Sequence, residues 1–257
     1  MPFGTDVIYR YDGTFEGFFS CVFESFERRE IPCEIWSPDT EQMSLYTARD
    51  VDTDPEKAAR VMRGIKEKIS QDAFTQVAKG FLTCHPQKEV LMLNFLHLGF
   101  RHGRRVMDML ADDTVNTLFK AVLHLNREVH LYLGFVRFSI YEGNVLAAEI
   151  EPKNQVLPLI KPHFCSRLAQ ETFLIYDRTH RTALIYKPYE AQIIPADTLE
   201  LPEADAEELK FRSLWKTFYD TIGIEERFNP RCRMSHMPKR YWRQMTEFAD
   251  QYPALLK

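Results

Sequence analysis

Between Arg227 and Arg243 the chain carries Arg227, Arg231, Arg233, Lys239, Arg240 and Arg243 and no acidic residue. Guanidinium groups grip phosphate through paired hydrogen bonds, and a helix start adds backbone donors and the positive end of its dipole. Ser235 and Pro238 fit such a start. Asn229 and His236 add polar groups in the same interval. Tyr241 and Trp242, beside Arg240 and Arg243, offer ring faces on which an unpaired base can stack, a contact worth on the order of 1–3 kcal/mol. These residues point to a basic, aromatic surface for nucleic acid. The competing reading turns both rings inward and leaves the cations as a solvated face.

Two further constellations could do acid/base chemistry. In Arg127-Glu128-Val129-His130, a carboxylate and an imidazole two residues apart share a face only if the stretch is extended. They would then suit proton transfer or a shared divalent metal. Arg137, in a hydrophobic strand, needs a partner if buried, and an ion pair of Glu128 with Arg137 or Arg127 is the plainer account. In the second, His163 and Arg167 lie four apart on one helix face, and Asp177, at a strand end, is the acid expected to pair with His163. Cys165 beside His163 suggests a thiol nucleophile, but sequence neighbours seldom align for it. Arg137 and Arg167 are also candidates for phosphate. The catalytic candidates are therefore Glu128, His130, His163 and Asp177.

Composition limits these readings. The net charge is −4, so no global attraction to phosphate exists and any anion site must come from local clustering. Five widely spaced cysteines without a CxxC pair, in a chain whose first residues form no apolar leader, suggest reduced thiols and a cytoplasmic setting. No apolar run approaches the roughly 20 residues of a spanning helix, so no membrane role is expected. Walker, GxGxxG, HExxH and GxSxG motifs are absent, and no cofactor is expected.

The elements that must hold these residues follow from periodicity. VIYRYDGT reads as a strand closing on an Asp12-Gly13 turn, and Thr14 caps a helix whose Phe15, Phe18, Phe19, Val22, Phe23 and Phe26 recur at helical spacing. Three to four helices fill Asp54 to Phe119, with the basic run Arg101 to Arg105 at a helix end, and a further helix runs to about Val129. HLYLGFVRFSIYEGNVLAAEI then reads as a hairpin around Glu142-Gly143-Asn144, and TFLIYDRTHRTALIYKP as a second, flanking Asp177 to Arg181. The stretch between them becomes helical after Pro162. Helices at Ala204 to Ile222 and Pro238 to Tyr252 close the chain. The expectation is an α+β fold, mostly helical, with a small antiparallel sheet built from two hairpins plus an N-terminal strand. It forms one globular domain, 1–257, with 191–203 as a candidate connector to a C-terminal helical segment, 204–257.

YDGTFEGFFSCVFESFERRE, REVHLYLGFVRF, the PHFCSRL to LIYDRTHR region and NPRCRMSHMPKRYWRQMTE together resemble a bacterial family described as probable DNA metabolism proteins, defined by a domain of unknown function numbered 4130. The likeness runs over nearly the full length. It implies a genomic partnership with a radical S-adenosylmethionine (radical SAM) protein and, in some relatives, fusion to a uracil-DNA-glycosylase-like domain. The leading expectation is thus a DNA-binding partner in a repair or base-modification system. The alternatives are an enzyme acting on a damaged nucleotide through the four catalytic candidates, and a protein-protein adaptor whose basic patch meets an acidic surface.

Overall fold

At the Asp12-Gly13 turn Gly13 takes φ +79°, a conformation that favours glycine, and the first strand gives way to a helix. Strand β1 (Phe3–Arg10) is followed by α1 (Phe15–Arg28), where Thr14 Oγ1 accepts from the Gly17 amide at 3.0 Å, as the sequence predicts. Arg29, at φ 57°, ends α1 and turns the chain into β2 (Glu30–Trp36). A helix between two neighbouring strands favours parallel pairing, and β1 pairs in parallel with β2 and also with β3 (Thr47–Asp50).

The computed structural model describes residues 3–38, 45–141, 143–197, 199, 206–222 and 229–251. Two compact units divide it, Met1–Leu125 and Asn126–Lys257. The first unit holds the three-stranded sheet, order β2-β1-β3, with α2 (Pro55–Lys68), α3 (Gln71–Phe81), α4 (Lys88–His102) and a 3-10 segment at Gly103–Asp108. Its core is aromatic and aliphatic: Tyr9, Phe18, Phe19, Ile65, Phe95 and Leu96 are fully buried. The phenylalanines recurring along α1 are mostly part of that core, although Phe26 stays partly exposed.

Helix α5 (Asp113–Phe135) contains the division between the units. The expected connector at 191–203 lies inside the second unit, part of it outside the described residues. Beyond α5 come β4 (Ser139–Tyr141), β5 (Val145–Ile150), α6 (Leu157–Arg167), β6 (Thr172–Asp177), β7 (Thr182–Lys187), β8 (Glu190–Pro195), α7 (Ala206–Ile222) and α8 (Pro230–His236). Two 3-10 segments follow, Lys239–Gln244 and Thr246–Gln251. The five strands form one sheet in the order β4-β5-β6-β7-β8. It is antiparallel except between β5 and β6, which α6 connects in parallel.

The class is α+β, as expected, and both hairpins form. Several details differ. Helix α6 begins at Leu157, ahead of Pro162, because Pro158 lies in its first turn, where proline is tolerated, and the helix expected over Pro238 to Tyr252 is two 3-10 segments, with Tyr252 outside the described residues. The single small antiparallel sheet is two sheets, and β1 belongs to a parallel one that contains neither hairpin. Residues 130–135, read as strand, continue α5, because Leu125, Glu128 and Tyr132 are buried at helical spacing and packing overrides local β preference. The helix start placed at Ser235 lies at Asn229, whose Oδ1 accepts from the Cys232 amide at 3.0 Å. No helix among the described residues is long and apolar enough to cross a membrane.

Candidate functional site

The carboxyl ends of the parallel strands β5 and β6 lie side by side, with Ile150 opposite Asp177. Ligand sites in open sheets with parallel strands favour this edge, where loops diverge and side chains converge. Four carboxylates are gathered here. Glu149 is the penultimate residue of β5, Glu151 directly follows the strand, Asp177 ends β6, and Glu128 reaches in from α5.

Glu128 is 1% exposed and well supplied with donors. It accepts from the backbone amides of Lys153 at 3.0 Å and Asn154 at 2.8 Å, from the Asn154 side-chain amide, and from Arg240 at 2.9 Å. Its acceptor positions serve to fix the loop after β5. The ion pair foreseen for it exists, with Arg240 as partner in place of Arg137 or Arg127. His130 does not share its face. Two residues along a helix are about 200° apart, and His130 is exposed on the other side.

Asp177 is also 1% exposed, but its partner is His180. Oδ1 accepts from the Thr179 and His180 amides, which shapes the β6–β7 turn, and Oδ2 meets His180 Nδ1 at 2.7 Å. A carboxylate oxygen accepts, so His180 donates to it through Nδ1–H. His163 does not reach Asp177. It lies on α6, edge-on to Phe164, with its Nε2 buried and lacking a hydrogen bond. The expected His163–Asp177 pairing is therefore replaced by a local one, because the turn puts His180 three residues from the acid. Burial pushes the Cys165 thiol up, with Lys161 opposing, so the thiol form is favoured.

The C-terminal cations meet this edge. Arg240 pairs with Glu128 and lies over the Tyr241 ring, 4.6 Å from its centre. Arg243 pairs with Glu151 at 3.3 Å, and Arg178 with Glu149 at 3.5 Å and Glu151 at 3.9 Å. Burial pushes the Tyr132 hydroxyl above its ordinary range, Tyr241, Glu128 and Asp177 add to the push, and Arg240 opposes it, so these groups share one neighbourhood. The guanidiniums are outermost: Arg243 is 59% and Arg178 48% exposed, against 29% for Glu151 and 27% for Glu149. Three arginines thus stand with four carboxylates at this edge, the guanidiniums on the outside.

Tyr241 and Trp242 face inward, contrary to the expected stacking surface. Tyr241 packs edge-on against Tyr132 and Phe135 at 5.1 and 5.3 Å. Trp242 is 2% exposed, stacks on Phe248 at 4.2 Å, and donates from Nε1 to the Met237 carbonyl at 2.9 Å. Burying two large rings outweighs offering them to a ligand when the adjoining residues are short 3-10 turns. Arg233 and Lys239 lie over Trp242, at 5.1 and 5.8 Å from its centre, and so help to cover it. Arg231 and His236 are exposed on α8, Asn229 caps it, and Arg167 is exposed at the end of α6. Arg227 lies outside the described residues.

Arg137 is held apart from the β5–β6 edge by Glu247, at 2.6 Å. Burial opposes ionisation of Glu247, but the Arg137 hydrogen bond, a backbone hydrogen bond, the Arg137 charge and the Trp215 donor prevail, and its pKa lies below the ordinary 4.5. A depressed carboxylate contributes stability above its unfolded pKa and loses it as pH falls through the folded value. Thermal midpoints should therefore drop below about pH 4.5, and Glu247→Gln should flatten that dependence. An unchanged acid profile in the variant would show that other carboxylates dominate.

His180 and Arg178 were not among the residues singled out from sequence. The Asp-x-x-His spacing within the second predicted turn was the available signal. Among the described residues, no three His, Cys, Asp or Glu side chains are grouped as metal ligands. No curated protein matches the chain. Residues 86–247, which include every residue of the β5–β6 edge, match the family described as Domain of unknown function (DUF4130), and the chain belongs to that family.

Proposed function

We propose that this protein binds nucleic acid as a partner in a DNA repair or base-modification system associated with a radical SAM protein, with Arg178, Arg240 and Arg243 meeting phosphate at the β5–β6 edge. The observation that carries this reading is the layering of guanidiniums over less exposed carboxylates, of which Glu128 is buried and Glu149 and Glu151 are half-buried. Carboxylates behind the arginines hold their side chains in place, which lowers the entropy cost of gripping a phosphate. Arg231 and Lys239, exposed nearby in sequence, extend the cationic character.

Arg243→Ala and Arg178→Ala should each weaken binding to a labelled oligonucleotide and reduce the slope of log K against log salt by about one unit. Arg240→Ala is a poorer probe because it also strips Glu128 of its ion pair. Wild-type binding that ignores salt, or slopes unchanged in both variants, would refute phosphate contact at this edge.

The Asp177–His180 pair supports a second reading, an enzyme acting on a damaged or modified nucleotide. A buried carboxylate that orients an imidazole leaves Nε2 as a base for a water or hydroxyl. His180→Gln separates the two: binding retained with cellular function lost favours catalysis, and both retained favours binding alone.

A further inference from the structure

Helix α7 turns an apolar stripe to solvent. Phe211, Leu214, Trp215, Phe218 and Ile222 recur at helical spacing and are 42–59% exposed. An exposed stripe of this kind marks an interaction site. Beside it runs a groove of about 660 Å³ within the second unit, lined by Phe138, Leu146, Phe211 and Trp215 among others. That volume is in the range of sites for small, flat ligands, about 300–1,000 Å³.

The groove is also polar in a particular way. Arg137 pairs with Glu247 and Arg212 with Glu208, so its two cations are each matched by a carboxylate. A neutral lining gives little attraction to phosphate. Trp215 donates from Nε1 to Glu247 at 3.2 Å, which ties its polar edge to a buried acid and holds the ring with one side to solvent. Arg137 lies over one face of the Trp215 ring, 6.0 Å from its centre. Glu208 and Arg212 are in turn tied to β4, through the Ile140 amide at 3.1 Å and Ser139 Oγ at 2.7 Å. The result is a preorganised aromatic wall beside donors and acceptors, with Thr246 adding a hydroxyl.

We infer that this groove binds an unpaired nucleobase of single-stranded nucleic acid, stacked on Trp215 and Phe211 with its edge toward Arg212, Glu208 and Thr246. A heteroaromatic base has the flat apolar faces that the rings accept and the polar edge that the paired side chains complement. The inference rests on the nucleic-acid reading above and names its strand state. The 3-10 region that supplies Arg240 and Arg243 to the phosphate edge supplies Thr246 and Glu247 to the groove.

The test compares a fluorescein-labelled oligothymidylate with an all-abasic strand of the same length, titrated with the full chain. Both strands carry the phosphates, but only one carries bases. The base-bearing strand should bind roughly tenfold or more tightly and quench tryptophan emission. Trp215→Ala should remove that preference while leaving abasic-strand binding unchanged, and Trp215→Phe should keep most of it. Should Trp215→Ala fail to fold by circular dichroism, Phe211→Ala, 53% exposed, gives the same reading. Equal binding of the two strands by the wild-type chain overturns the groove proposal and leaves phosphate contact standing. Binding of neither strand overturns both. A self-association that Trp215→Ala abolishes, without base preference, assigns the stripe to a second copy and also overturns the proposal.

Discussion

Glu128→Ala should destabilise the Asn126–Lys257 unit by about 3 kcal/mol, because it leaves two backbone amides, the Asn154 side chain and Arg240 without their common acceptor. The figure is below the upper range for broken buried ion pairs, since Arg240 is about one-third exposed and can rehydrate. For a chain of this size the thermal midpoint should fall by roughly 6–12 °C. Glu128→Gln keeps the volume and one acceptor oxygen, and about half of the loss is expected. Differential scanning calorimetry checks both values. A Glu128→Ala protein that melts like the wild type but has lost its cellular function would make this carboxylate a chemical group and not the anchor of the loop after β5.

Trp242→Ala should be more damaging, about 3–5 kcal/mol, through loss of the stack on Phe248 and a cavity in the C-terminal core. Trp242→Phe preserves an aromatic stack and loses the Nε1 bond to Met237, a cost of about 1 kcal/mol. The nucleic-acid affinity of the folded Phe variant should equal that of the wild type. The two accounts of this residue therefore diverge sharply. If Trp242 stacks on a base, the alanine variant stays stable and loses binding. If it is core, stability goes first. Chemical denaturation followed by tyrosine emission, together with oligonucleotide titration, decides the matter.

The proposed phosphate and base contacts are separable by experiment because the residues assigned to them lie on different elements. Arg178 and Arg243 stand at the carboxyl ends of β5 and β6, whereas Trp215 stands on α7 beside a groove with paired charges. Salt should act strongly on the first and weakly on the second. A variant set that changes salt slope without changing base preference, and the reverse, would map the two surfaces independently.

Sequence by itself determined the features that depend on near neighbours. Thr14 capping α1, the turn at Gly143 and Asn144, the loop between Asp177 and Thr182, and the helix that ends at Ile222 are all written in a few adjacent residues, because caps, positive-φ turns and helical periodicity are local properties. The same local reading identified Glu128, Asp177, Arg240 and Arg243 as residues of interest, and the α+β class. Tertiary structure alone decided their relations. It chose Arg240 for Glu128 and His180 for Asp177, buried Tyr241 and Trp242, left Trp215 at the surface, and placed β1 in a parallel sheet. An ion pair between residues 128 and 240, or the inward turn of one aromatic over another, depends on which distant surfaces meet and how much apolar area each meeting buries. That free energy belongs to the assembled core, and no short stretch of chain contains it.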